Sequence, residues 1–139
     1  MPHAILIVDD SALIRHSIRD CIERNTDWLV CGEAENGEAA IEKVRQLRPD
    51  VVIIDWQMPV MNGLDAAREI NRIHPGATLL MITLHESTEL IATAHAVGVK
   101  EVLSKTDAVA DHLLASLRNV SSGELKRDRG ETSGVRDYF

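Results

Sequence analysis

The feature that most constrains the fold is a repeated alternation of short apolar runs with longer amphipathic segments. The first run, Ala4–Val8, is continuous, rich in β-branched residues, and followed by two aspartates. Such a run is typical of a strand buried on both faces of a parallel sheet. We predict four further strands, at Trp28–Ala34, Val51–Ile54, Thr78–Thr83 and Val102–Leu103.

Each predicted strand is followed by a segment whose apolar residues recur at helical spacing. Ser11 and Asp107 are the predicted N-caps of the first and last segments, and Pro49 and Pro75 end the second and third. The predicted buried stripes are Ile14, Ile18, Cys21 and Ile22; Ala40, Ile41, Val44 and Leu47; Leu64, Ala67, Ile70 and Ile73; Leu90, Ile91, Ala94 and Val97; and Val109, Leu113, Leu114, Leu117 and Val120.

Five strands that alternate with five helices predict a single α/β domain. Because right-handed crossovers lay the helices on both faces of a parallel sheet, a doubly wound arrangement is favoured. We expect residues 1–120 to form this domain. Residues 121–139 are rich in serine, glycine and mixed charges without an apolar period, so we expect a flexible tail or linker there.

The composition argues against several classes of protein. A formal net charge of -7 disfavours a nucleic-acid-binding surface on this domain. Cys21 and Cys31 lack the spacing of zinc or redox motifs, so we expect two reduced, packed thiols. The apolar runs are too short to cross a bilayer, and the N-terminus lacks the pattern of a signal peptide. We therefore expect a cytoplasmic protein that does not bind membranes.

Residues capable of phosphoryl chemistry stand at the ends of four predicted strands. Asp9 and Asp10 follow the first strand, Asp55 the third, Thr83 ends the fourth and Lys105 follows the fifth. Parallel strands end at one edge of the sheet, where α/β folds bind ligands. Three neighbouring carboxylates repel one another unless a cation intervenes, and their hard oxygens suit Mg²⁺. We predict that Asp55 is a nucleophile toward phosphorus, with Lys105 and Thr83 on phosphate oxygens.

Four blocks of this sequence resemble the signature of bacterial two-component response-regulator receiver domains. They are Val8-Asp9-Asp10-Ser11, Asp55-Trp56-Gln57-Met58-Pro59-Val60-Met61-Asn62-Gly63, Ile82-Thr83 and Leu103-Ser104-Lys105. The similarity extends from about Ile5 to about Val120, with the spacings of the family. It implies a flavodoxin-like receiver fold with strand order 2-1-3-4-5.

The resemblance also implies a role for each site residue. Asp55 is implied to be phosphorylated by a sensor histidine kinase, a phosphotransfer protein or a small phosphodonor. Asp10, Asp55 and the backbone carbonyl of Gln57 are implied Mg²⁺ ligands, with Asp9 acting through bound water. Thr83 and Lys105 are implied to contact the phosphoryl group. The implied function is a signalling switch that controls a partner or output domain, with homodimer formation on phosphorylation and no enzymatic turnover.

A few positions depart from the common family pattern. Val102 stands where many receivers have tyrosine or phenylalanine. Two interpretations stay open: signalling through the fourth helix and fifth strand is weaker or differently built, or the valine simply suits a strand. Thr106 replaces a proline that is cis in many relatives, and the sequence leaves the isomer of the preceding peptide bond open. We hypothesise that three residues flanking the pocket tune dephosphorylation, namely Gln57, Leu84 and His85.

The sequence leaves three other functions open. One is a receiver that binds partners without being phosphorylated, although all five site residues are present. A second is a phosphohydrolase, but such enzymes usually have an acid/base aspartate where Gln57 stands. A third is the N-terminal receiver part of a DNA-binding transcriptional regulator whose output domain lies beyond these residues. The cognate kinase, the pathway and the downstream target are not readable from the sequence.

Overall fold

The computed structural model describes residues 3–106 and 109–122, in which strands and helices alternate along the chain. The strands are β1 (Ala4–Val8), β2 (Leu29–Ala34), β3 (Val51–Asp55), β4 (Thr78–Thr83) and β5 (Val99–Ser104). The helices are α1 (Ala12–Asn25), α2 (Gly37–Leu47), α3 (Gly63–Ile73), α4 (Thr88–Ala96) and α5 (Val109–Ser122).

The strands form one parallel sheet in the order β2-β1-β3-β4-β5. The predicted order 2-1-3-4-5 is therefore confirmed. The register places Val8 beside Ile54, and Asp55 beside Ile82. Because the strands run in the same direction and end at similar levels, the residues that follow them gather along one edge of the sheet.

Helices cover both faces of the sheet, as the doubly wound prediction requires. Alternate residues of a strand point to opposite faces. Leu6 and Val8 of β1 pack with α2, α3 and α4, whereas Ile5 and Ile7 pack with α1 and α5. Burial on both sides explains the continuous apolar runs of β1 and β3, and it holds the ends of these strands rigidly in place.

The beginning of the chain agrees closely with the sequence pattern. The side chain of Ser11 accepts a hydrogen bond from the backbone nitrogen of Ile14 at 3.2 Å, which confirms its role as the N-cap of α1. One boundary differs, because β2 begins at Leu29 and excludes Trp28. Trp28 is nevertheless buried, and its ring stacks on that of His3 with centroids 4.3 Å apart. Its side chain therefore packs in the core, although the residue is not part of the strand.

The last strand and helix are longer than predicted. β5 begins at Val99 and includes the polar residues Lys100 and Glu101. Only part of an edge strand is buried, so these polar residues interrupt the apolar run from which a strand is predicted. Helix α5 extends to Ser122, two residues into the segment expected to be a tail. The predicted N-cap Asp107 and residues 123–139 lie outside the described residues.

Cys21 and Cys31 are both free thiols and are half-buried. Burial raises the pKa of each thiol, so both remain protonated near neutral pH. The prediction of two packed, reduced cysteines is confirmed. Among the helices that the structure describes, none combines the length and the apolar character needed to cross a bilayer.

Candidate functional site

The predicted acidic residues and the lysine meet at the carboxyl edge of the sheet. Asp9 and Asp10 follow β1, Asp55 ends β3, and one carboxylate oxygen of each lies within 4.8 Å of the others. Lys105 follows β5, and its Nζ lies 3.1 Å from Asp9 Oδ2 and 3.3 Å from Asp55 Oδ1. Tertiary structure thus brings together residues from three separate strands around one acidic pocket.

Burial and like charge determine the ionisation of this pocket. Asp9 is 2% exposed and Asp55 is 6% exposed, whereas Asp10 lies at the surface. Desolvation and the negative charge of Asp9 raise the pKa of Asp55, despite the opposing effect of Lys105. For Lys105, burial lowers the pKa, but the hydrogen bond to Asp9 and the charge of Asp55 outweigh it and raise the pKa overall. Three carboxylates facing one ammonium leave an excess of negative charge that a divalent cation would offset.

Asp9 is anchored through its backbone and through its side chain. Its N–H donates to the carbonyl of Ala34 at 3.1 Å, and its carbonyl accepts from Arg15 Nη1 at 2.6 Å. Its Oδ1 accepts a hydrogen bond from the backbone nitrogen of Ser11 at 2.9 Å, while Oδ2 faces Lys105. The junction between β1 and α1 is therefore held in place on several sides.

The loop after Asp55 packs closely against the backbone of Asp55. The N–H of Gly63 donates to the carbonyl of Trp56 at 2.7 Å. A Cβ at position 63 would lie only 2.3 Å from the carbonyl oxygen of Asp55, so only glycine fits there. Within the loop Val60 has φ 69, a left-handed conformation that is strained for a β-branched residue. Strain of this kind commonly occurs in the loops of functional sites.

Thr83 reaches the same edge, but its hydroxyl is bonded within its own loop. The residue is 1% exposed, and its Oγ1 accepts from the backbone nitrogen of His85 at 3.2 Å. The same hydroxyl donates to the carbonyl of His85 at 3.5 Å. The backbone nitrogen of Lys105 donates to the carbonyl of Thr83 at 2.7 Å, which ties the two loops together. The hydroxyl that we expected on a phosphate oxygen is thus occupied locally.

The other positions singled out from the sequence surround the pocket. Gln57, Leu84 and His85 lie on the loops after β3 and β4 with exposed side chains, and Leu84 is 61% exposed. Val102 is half-buried against the core that contains α2, α3 and α4. No peptide bond within the described residues is cis, so Thr106 follows a trans bond. The roles assigned to Gln57, Leu84 and His85 remain predictions.

Sequence reasoning missed the residues that support the pocket from outside. Arg15 contacts the Asp9 carbonyl, and its Nε lies 2.8 Å from Glu33 Oε1. In the sequence, however, Arg15 resembles any arginine on an amphipathic helix. Gly63 belongs to a block already singled out from the sequence, but its close approach to the Asp55 backbone was not predicted.

Comparisons with known proteins agree with this fold. The family model of the response regulator receiver domain matches residues 5–118. The chain is 38% identical over 105 residues to the chemotaxis protein CheY of Thermotoga maritima, covering 76% of this chain and 87% of that protein. The crystal structure of the response regulator domain of Thermotoga maritima CheB superposes with a TM-score of 0.80 at 29% identity, covering 88% of this chain and 98% of that one.

A longer relative is similar over part of its length. The chain is 41% identical over 102 residues to a protein-glutamate methylesterase/protein-glutamine glutaminase of Idiomarina loihiensis. The matched region is 73% of this chain but 26% of that relative. The chain therefore spans about a quarter of the length of this relative. The enzymatic activity in the name of the relative belongs to the whole protein and does not follow for this chain.

Proposed function

The chain belongs to the response regulator receiver domain family of two-component systems, and we propose that it accepts a phosphoryl group on the carboxylate of Asp55. The observation that supports this site most strongly is the burial of Asp55 between Asp9 and Lys105, with Asp10 beside them. A carboxylate desolvated in this way is a stronger nucleophile than one in water, and a cation stands next to it to stabilise negative charge on phosphate oxygens.

The proposed reaction is an in-line transfer from a phosphohistidine on a sensor histidine kinase or a phosphotransfer protein. A carboxylate oxygen of Asp55 forms a bond to phosphorus while the P–N bond breaks, and its electron pair leaves on the imidazole nitrogen. With a small phosphodonor such as acetyl phosphate, the P–O bond to the acetyl group breaks instead, and acetate leaves with the electron pair. Lys105 stabilises one phosphoryl oxygen, and Thr83 donates to another after its hydroxyl leaves the backbone of His85.

The donor set of the pocket fits Mg²⁺. We propose that Asp10, Asp55 and the backbone carbonyl of Gln57 would hold the ion, and that Asp9 would act through bound water. The clustered carboxylate oxygens support it, because three carboxylates share the single ammonium of Lys105 and leave negative charge that a cation would offset. When bound, the ion would offset the charge of the carboxylates and of the phosphoryl oxygens.

We further propose that the domain is a signalling domain and not an enzyme that turns over a substrate. Self-phosphorylation and self-dephosphorylation are slow, and the phosphorylated state controls a partner or an output domain, with homodimer formation as one consequence. The acidic domain itself does not bind nucleic acid or membranes and acts in the cytoplasm. The net charge of -7 and the similarity to the chemotaxis protein CheY support this assignment.

Intact-mass spectrometry after incubation with Mg²⁺ and acetyl phosphate tests the proposal. We expect the wild type to gain the mass of one phosphoryl group, and Asp55→Asn and chelation of Mg²⁺ each to abolish that gain. The matched control is Asp65→Asn, an exposed aspartate on α3 that should leave it intact. A gain that persists in Asp55→Asn would overturn the choice of acceptor. No gain with either acetyl phosphate or a phosphorylated histidine kinase would favour a receiver that works without phosphorylation.

A further inference from the structure

We propose that Arg15 is a positioning residue of the metal site. Its guanidinium holds the peptide group between Asp9 and Asp10 and thereby positions the Asp10 carboxylate. This inference deepens the function proposed above and rests on it. Arg15 touches neither the acceptor carboxylate nor the phosphodonor, so its influence passes through the backbone of the two aspartates.

Arg15 connects Glu33, on the edge strand β2, to the backbone of Asp9 in the pocket. Its side chain is 16% exposed and lies between α1 and β2. Its Nη1 donates to the Asp9 carbonyl at 2.6 Å, and its Nε donates to Glu33 Oε1 at 2.8 Å. The second oxygen of Glu33 accepts from Arg19 Nε at 2.8 Å. Glu33 is therefore held by two guanidinium groups, but only that of Arg15 continues to the site.

Planarity of the peptide bond gives this contact its consequence. The Asp9 carbonyl belongs to the peptide group that includes the nitrogen and the Cα of Asp10, and these atoms move as one rigid unit. The N–H of Asp9 is already fixed by Ala34, and its carboxylate by Ser11 and Lys105. The hydrogen bond from Arg15 adds a direct restraint on rotation about the Cα–C bond of Asp9, because it holds the carbonyl oxygen itself. Because Asp10 lies at the surface, its position depends on the backbone beneath it.

An arginine is required for this task because two acceptors in different directions are bridged. The planar guanidinium presents several N–H groups at fixed angles, whereas a lysine ammonium is a single point charge on a flexible stem. The two guanidinium groups also keep the Glu33 carboxylate ionised. Burial raises its pKa, but hydrogen bonds from Arg19 and Arg15 outweigh that effect and lower the pKa overall.

Titration of Mg²⁺ followed by tryptophan fluorescence tests the inference directly. Trp56 is half-buried and adjoins Asp55, which makes it a local reporter. We expect Arg15→Lys to weaken Mg²⁺ binding about 10-fold, the lower end of the loss seen when groups that orient metal ligands are removed. The matched control is Arg19→Lys, which alters a contact to the same Glu33 but none to Asp9, and it should bind Mg²⁺ like the wild type.

A kinetic measurement separates positioning from a purely structural role. With acetyl phosphate, Arg15→Lys should need more Mg²⁺ for half-maximal phosphorylation but regain the wild-type rate at saturating Mg²⁺. A reduced rate at saturation, or equal Mg²⁺ affinities for Arg15→Lys and Arg19→Lys, would overturn the inference. If Arg15→Lys failed to fold, Glu33→Gln would replace it, since it loosens Arg15 from the other end and should also weaken Mg²⁺ binding. Wild-type protein that did not bind Mg²⁺ would overturn the proposed function as well.

Discussion

Two sides of the candidate site differ in how far they are already arranged for phosphoryl transfer. The carboxylate side consists of Asp9, Asp10, Asp55 and Lys105, and ion pairs of 3.1 and 3.3 Å connect the lysine to two buried carboxylates. The threonine side consists of the loop that begins at Thr83, whose hydroxyl bonds to the backbone of its own loop. Under the proposed function, we expect that accepting the group needs little rearrangement, whereas the engagement of Thr83 requires its hydrogen bonds to break.

The threonine side is connected to β5 through a side-chain hydrogen bond. Glu86, in the same loop as Thr83, accepts a hydrogen bond from the Ser104 hydroxyl at the end of β5. Val102 on β5 is an aliphatic residue packed against the core around α2, α3 and α4, and it has no ring that could rotate. We therefore expect a response to begin with the hydrogen bonds of this loop.

Removal of the Lys105 ammonium is expected to have the largest effect. Lys105→Ala leaves Asp9 and Asp55 without their shared cation and removes a partner of the phosphoryl oxygens. Phosphorylation by acetyl phosphate should slow about 100-fold, as when one preorganised charge-stabilising donor is lost. The time course of the intact mass measures this rate. Lys100→Ala, at an exposed lysine of the same strand, is the control, and equal rates for the two variants would contradict the role of Lys105.

Gly63→Ala is expected to disturb the carboxylate side through its backbone. The new Cβ would lie 2.3 Å from the Asp55 carbonyl oxygen, so the loop after β3 has to move. We expect the free energy of unfolding in urea to fall by about 2 kcal/mol, a typical cost of overpacking. At Gly76 the nearest atom to a new Cβ is 3.9 Å away, so Gly76→Ala should cost much less. Equal losses would show that the close approach at position 63 is unimportant.

On the threonine side, Thr83→Ala removes the hydroxyl and leaves most of the buried volume. We expect the affinity for beryllofluoride, a phosphoryl analogue, to fall about 10-fold, the equivalent of one hydrogen bond to a charged group. Thr83→Ser keeps the hydroxyl and should restore most of the affinity. Fluorescence titration in the presence of Mg²⁺ measures both variants. A similar loss in Thr83→Ser would mean that the methyl group matters instead of the hydroxyl.

The pH dependence of stability tests the burial of Asp55. Its pKa is raised from the ordinary value of 3.8, so the folded protein binds this proton more tightly than the unfolded chain does. Stability is consequently lost as pH rises through the raised pKa. Without Mg²⁺, Asp55→Asn should increase the free energy of unfolding by about 1 kcal/mol at neutral pH. This gain should vanish below pH 3.8, where the carboxyl is protonated in both states. A variant less stable than the wild type at neutral pH would contradict the cost of the buried charge.

The smallest effect is expected for Leu84→Ala. Leu84 directly follows Thr83, but it is 61% exposed and therefore covers little of the pocket. We expect the acyl phosphate to hydrolyse at most about twofold faster, in line with the small effects of most surface substitutions. Decay of the phosphorylated mass after removal of acetyl phosphate gives the lifetime. An unchanged lifetime would rule out steric control of water access by this side chain.

Periodicity predicted most of the fold correctly. Strands buried on both faces need continuous apolar runs, and the predicted bounds of β1 and β4 match the structure. The start of β5 was missed because an edge strand contains polar residues such as Lys100 and Glu101. The inclusion of Trp28 in β2 was wrong, because a large apolar side chain packs equally well beside a strand.

The sequence pattern by itself predicted a doubly wound α/β domain, the edge of the sheet where chemistry is expected, and the choice of Asp9, Asp10, Asp55 and Lys105, while the strand order was implied by the family resemblance. Parallel strands leave no other place for residues at their carboxyl ends to gather. Only the tertiary structure decided that the Thr83 hydroxyl faces its own loop and that Arg15 supports the Asp9 carbonyl. Those contacts depend on distances of a few ångströms between segments that are separate in the chain, and no periodicity encodes such distances.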